Sequence, residues 1–134
     1  MMYLLDTCTF IWTVKKDNKI PSEVLSVLRG YDDVFVSQAT FWEIAIKKTT
    51  GKLDVVQDSF ELEELCVKQE IEILPLKMEY FERIQILPLI HRDPFDRIIV
   101  ATAIEEDLTL LTNDENIKKY DGVKTLWQTE KEEQ

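Results

Sequence analysis

The stretch from His91 to Asp114 limits the possible folds more tightly than any other part of the chain. It reads His91-Arg92-Asp93-Pro94-Phe95-Asp96-Arg97, an apolar run from Ile98 to Ile104, the acids Glu105-Glu106-Asp107, and then Leu108-Thr109-Leu110-Leu111-Thr112-Asn113-Asp114. Asp93 is a good helix N-cap, and Pro94 suits the first helical position, where its missing N–H costs nothing. A helix apolar on nearly every side must be mostly buried. The short bounded run Leu108–Leu111 reads as a buried parallel strand. Asp96 then falls in the first helical turn and Asp114 just past a strand end. In an open parallel sheet both carboxylates can lie at the carboxyl edge, where ligands bind.

The rest of the chain repeats the alternation. Met1–Leu5 reads as a central first strand with Asp6 at its carboxyl end, followed by a short helix around Phe10-Ile11-Trp12. Pro21-Ser22 opens a second helix that stops at Gly30. Val34-Phe35-Val36 is a strand, and Ser37 caps a helix from Gln38 to about Thr49, closed by Gly51. An amphipathic helix from Asp58 to about Glu70 carries Phe60, Leu62, Leu65 and Val67. Ile71–Leu76 is a strand, with Pro75 suited to an edge or a strand end. A helix follows over Glu79–Ile86, then a turn of helix near Asn116–Tyr120 and a last strand over Val123–Trp127. The expectation is a single α/β domain over residues 1–127. It has a central, mainly parallel sheet of four to five strands flanked by helices, and a polar tail at 128–134.

Composition narrows the chemistry. A chain of 134 residues with 45% hydrophobic content suits one soluble domain. No apolar run reaches the ~20 residues of a membrane span, and the acid at position 6 argues against a signal peptide, so no membrane role and a cytoplasmic location are expected. Cys8 and Cys66 lack metal-site spacing and fit a reducing compartment. The net charge of −10 argues against nucleic-acid binding through a broad basic surface. That argument weakens where a carboxylate cluster is neutralised by cations, or where a basic partner complements the acidity.

One histidine leaves no paired-histidine acid/base chemistry, and three scattered glycines exclude phosphate-cradling loops. Carboxylates remain. Asp6, Glu43, Asp96 and Asp114 stand where an oxygen-ligand site for Mg²⁺ or Mn²⁺ needs them, and Glu43 is unusual inside so apolar a helix. Each also has an ordinary reading. Asp6 can cap a helix, Glu43 can pair with Lys47, Asp96 can complete a capping box, and Asp114 can serve a turn. Asp93 is assigned to capping and His91 to a polar loop. The three tryptophans are assigned to core or interface, and Lys47, Lys48 and Lys52 read either as a solvated face or as the best candidates for phosphate contacts.

Four segments resemble PIN-domain proteins, and most resemble VapC-type toxins of bacterial toxin–antitoxin pairs. They are Tyr3-Leu4-Leu5-Asp6-Thr7, then Ser37 to Lys47 with Gly51-Lys52-Leu53, then His91 to Arg97, and Leu110 to Asp114. The resemblance implies that Asp6, Glu43, Asp96 and Asp114 bind Mg²⁺ or Mn²⁺ and drive RNA hydrolysis by water, with Thr112 as a supporting hydroxyl and Asp93 nearby. It also implies a cognate antitoxin that caps the site, and a homodimer. Two other readings stand beside it: a phosphotransfer or phosphatase-like domain using Asp6, which lacks the usual second acid because position 8 is Cys, and a non-catalytic partner-binding module.

Overall fold

A computed structural model describes residues 1–127. The expected polar tail at 128–134 lies outside the described residues. The elements are β1 (Met2–Leu5), α1 (Thr7–Lys15), α2 (Ser22–Arg29), β2 (Asp33–Ser37), α3 (Gln38–Thr49), α4 (Ser59–Lys68), β3 (Ile71–Leu74), α5 (Met78–Ile86), α6 (Pro94–Glu105), β4 (Thr109–Leu111) and β5 (Lys124–Leu126), with a 3-10 turn at Ile117–Lys119. The sheet runs β3-β2-β1-β4-β5, and every pairing is parallel.

This order makes β1 central, with β2 on one side and β4 on the other. The chain leaves β1 towards β2 and later returns to its other flank, so the order of strand addition reverses at β1. The carboxyl ends of β1 and β4 lie side by side, with Leu5 in register with Leu111. A crevice opens where the connections diverge. Both faces of the sheet are covered, as parallel sheets require. One core gathers Leu5, Phe10, Val24, Val36, Leu62 and Leu111. The other gathers Leu4, Tyr80, Ile99, Val100, Leu110 and Ile117. Leu4 and Leu5 point to opposite cores because strand side chains alternate.

Two helices are set by their caps. Ser37 accepts the Ala39 N–H and starts α3 at Gln38. Asp58 and Glu61 form a reciprocal capping box at the start of α4. The apolar face of α4 differs from the expected set: Leu62 and Cys66 are buried, whereas Phe60 and Val67 are exposed. Positions 62 and 66 lie one turn apart on the inward face, and 60 and 67 fall well round the helix from them. Pro75 follows edge strand β3 directly, where no ladder hydrogen bond is lost.

Candidate functional site

The carboxyl edge of the sheet holds a cavity of about 240 Å³ lined by Asp6, Thr7, Cys8, Trp12, Glu43, Lys47, Asp93, Asp96, Asn113 and Asp114. All four acids singled out from the sequence face it. They arrive from the β1–α1 junction, the middle of α3, the first turn of α6 and the segment after β4. Asp93 also lines the cavity, and Thr112 is buried behind it, bonded to Asp6.

Asp6 is 5% exposed and held on both oxygens. Oδ1 accepts the Thr9 N–H at 2.8 Å, which makes Asp6 the N-cap of α1, and Oδ2 accepts the Thr112 hydroxyl. Thr9 in turn donates to the Leu111 carbonyl at 2.9 Å. The capping role and the site position therefore coexist. Burial pushes the Asp6 carboxyl above its ordinary range, and the Thr112 and Thr9 hydrogen bonds pull back against it. A carboxylate held this firmly is a poor freely rotating phosphate acceptor.

Glu43 is 4% exposed. Its Oε2 pairs with Lys47 Nζ at 2.8 Å, one turn on. Its Oε1 is buried with no hydrogen-bond partner. A buried unpaired acceptor carries a desolvation cost of about 1–3 kcal/mol. Trp42, one residue earlier, stands edge-on to Phe95 with ring centroids 5.2 Å apart. That contact joins α3 to α6 beside Glu43 and Asp96. Trp42 is still 61% exposed, so it belongs to the rim rather than the core. Trp127 is buried and packs on Trp12.

Asp93 caps α6, and its Oδ1 accepts the N–H groups of Phe95 and Asp96 at 2.8 and 3.2 Å. The Asp96 side chain does not close a capping box, because the Asp93 N–H is directed to His91 Nδ1 at 3.3 Å. Asp96 is thus free to face the cavity. Its carboxyl is raised to about 7, first by burial and then by the Asp93 charge; His91 opposes this, and Glu43 and Asp114 add to it. Asp114 does serve a turn, since Oδ1 accepts the N–H groups of Asn116 and Ile117 at 2.8 and 3.1 Å. Its Oδ2 points the other way, 3.2 Å from His91 Nε2.

His91 is a loop residue, as expected, and it also reaches into the acidic cluster. Its Nε2 lies 3.0 Å from Asp96 Oδ2 as well as near Asp114, and these three residues form a metal-ligand-like group. One signal for it was available: this is the only histidine, two residues before the helix cap. Arg97 is the other residue whose part was not anticipated. Its guanidinium donates to the carbonyls of Pro88 and Ile84, both at 2.9 Å, and holds the loop that carries His91.

The donor set fits a hard divalent cation. It is dominated by carboxylate oxygen, and the orphaned Glu43 Oε1 is the buried acceptor that a cation or its waters would satisfy.

Fold and cleft together define a doubly wound α/β domain with an acidic pocket at its switch point. The chain belongs to the PIN domain family, whose model matches residues 3–123. A search of curated proteins finds no match. Among solved structures, the chain is similar to VapBC2 from Rickettsia felis bound to a promoter DNA fragment, at 18% identity and a TM-score of 0.71, covering 96% of this chain and 100% of that one. It is also similar to VapBC-1 from nontypeable Haemophilus influenzae, at 22% identity and a TM-score of 0.63, covering 94% and 97%. A third likeness is to FitAcB from Neisseria gonorrhoeae, at 21% identity and a TM-score of 0.60, covering 94% and 96%. At these identities the likeness is one of fold. No helix among the described residues is long and apolar enough to cross a membrane.

Proposed function

We propose that this chain is a Mg²⁺- or Mn²⁺-dependent endoribonuclease, the VapC-type toxin of a cytoplasmic toxin–antitoxin pair. The observation that carries this reading is the meeting of Asp6, Glu43, Asp96 and Asp114, from four separate elements, in one cavity at the sheet edge. Family membership supports it, and the similar solved structures include VapBC2 and VapBC-1.

Asp6, Glu43, Asp96 and Asp114 would hold the cation. When bound, the cation supplies Lewis acidity towards the phosphate and the attacking water. The protein residues do the rest. Thr112 and Thr9 fix the Asp6 carboxylate, so its orientation is set before any ligand arrives. Among the described residues Lys47 is the one cation lining the cavity, so it is placed for a non-bridging phosphate oxygen. Trp42 and Phe95 form an aromatic rim beside that path.

The partner follows from charge. A chain of net charge −10 with an acidic pocket is complemented by a basic antitoxin segment. A homodimer is part of the same reading. The test is sequencing of RNA 5′ ends after induction of the wild type and of Asp96→Asn. New 5′-phosphate ends at defined positions with the wild type alone are expected. Identical end profiles for both would remove the nuclease reading.

A further inference from the structure

We propose that His91 is a displaceable plug: its Nε2–H fills the place between Asp96 and Asp114 that a divalent cation takes, so loading requires the ring to leave. This rests on the metal-dependent reading above and adds a residue that holds and releases the site.

The argument is one of donors and acceptors. The Asp93 N–H points at His91 Nδ1 at 3.3 Å, so that nitrogen carries the lone pair. The ring proton is thereby assigned to Nε2, which faces Asp96 Oδ2 at 3.0 Å and Asp114 Oδ2 at 3.2 Å. A metal-ligating histidine has the opposite arrangement, with the ligating nitrogen bare and the other N–H donated to an acceptor. Here the nitrogen that faces the carboxylates is the donor. It therefore behaves as a stand-in for a cation rather than as a ligand to one.

The surroundings allow the ring to move without the backbone. The His91 N–H donates to the Tyr120 hydroxyl at 2.9 Å, and Arg97 fixes the Pro88 and Ile84 carbonyls before it. The side chain is 16% exposed, and release of Nε2 needs only a side-chain rotation about this anchored backbone. Before loading, the plug joins two carboxylates that come from distant parts of the chain and would otherwise repel.

The experiment uses the tag-free chain, in which His91 is the only imidazole. Nitrogen-15 NMR of the ring during a Mg²⁺ titration reads the tautomer directly. The proton should stay on Nε2 in both states, with the hydrogen-bond signature to Asp114 lost on loading. Calorimetry should show His91→Ala binding Mn²⁺ about tenfold more tightly than the wild type, the scale of one hydrogen bond to a charged group. A switch to a bare Nε2 on loading, with weaker Mn²⁺ binding by His91→Ala, would make His91 a ligand and overturn the plug. Unchanged affinity overturns it as well. If neither the wild type nor His91→Ala binds Mg²⁺ or Mn²⁺, the metal reading falls together with the plug. Metal binding without tightening in the variant removes the plug alone.

Discussion

The two walls of the acidic pocket are built differently. On the strand side, Asp6 is clamped by Thr9 and Thr112, and Thr9 is tied to the Leu111 carbonyl. Those bonds join β1 to the end of β4 and hold without any ligand. On the helix side, Asp96 from the first turn of α6 meets the His91 ring, which also faces Asp114 from the segment after β4. One wall is cross-linked between strands by hydroxyl and backbone hydrogen bonds, and on the other two carboxylates are spanned by a single side chain. A ligand site can be rigid where orientation matters and yielding where the ligand must enter.

The largest expected effect breaks both walls equally in function but not in structure. Asp6→Asn and Asp96→Asn should each lower RNA cleavage by about a thousandfold or more, the scale of losing several kcal/mol of charge stabilisation. Asparagine at position 6 still accepts the Thr9 N–H, so circular dichroism and thermal melts should show an intact fold in both. Cleavage within tenfold of wild type by either variant would separate that wall from the chemistry.

The same contrast governs what could be read from sequence. Asp6, Glu43, Asp96 and Asp114 were legible because each acid interrupts or ends an apolar element, and local pattern reveals such a position. Ser37 and Asp93 were legible as caps for the same reason, since the partners of a cap are two or three residues away. His91 was not, because its role depends on Asp114, which is 23 residues on and comes close only when β4 lies beside β1. Arg97 was missed likewise, because its acceptors are backbone carbonyls on a loop whose path the sequence does not specify. The face of α4 was misjudged because apolar residue type alone does not say which side of a helix finds a neighbour.

Next in size is the response of the metal-free protein to pH. The Asp96 carboxyl sits at about 7 in the fold against 3.8 when free, and Asp6 is displaced in the same direction. Between those values the native state binds more protons than the unfolded chain. The stabilisation is therefore complete below pH 3.8 and is lost as pH rises through about 7. Melts in chelator should show stability falling between pH 5 and 8, by an amount on the order of a few kcal/mol. Divalent cation at pH 8 should restore about 2.7 kcal/mol at a hundredfold excess over Kd. A flat profile in chelator would show that burial does not raise these carboxyls in the folded protein.

A smaller effect tests the strand side. Thr112→Val keeps the shape and removes the hydroxyl that donates to Asp6 Oδ2. Leaving that buried oxygen short of a donor should cost about 1–3 kcal/mol in chemical denaturation. The Asp114 N–H also donates to this hydroxyl, at 3.0 Å, so the turn after β4 loosens too. Loss of less than half a kcal/mol would mean the clamp is not what fixes Asp6.

The smallest effect separates a capping carboxylate from a ligand. Asp93 lines the cavity, but its Oδ1 is already committed to the Phe95 and Asp96 N–H groups. Asparagine is an equally good cap, so Asp93→Asn should change stability by only a few tenths of a kcal/mol near neutral pH. It removes a negative charge that helps to raise the Asp96 carboxyl, so that group should titrate lower. The fall in metal-free stability with pH should become shallower, while cleavage stays within about threefold of wild type, less than half a tenfold step in barrier terms. A loss as deep as that of Asp96→Asn would instead place Asp93 among the groups that hold the cation, and the helix-side wall would then comprise three carboxylates rather than two.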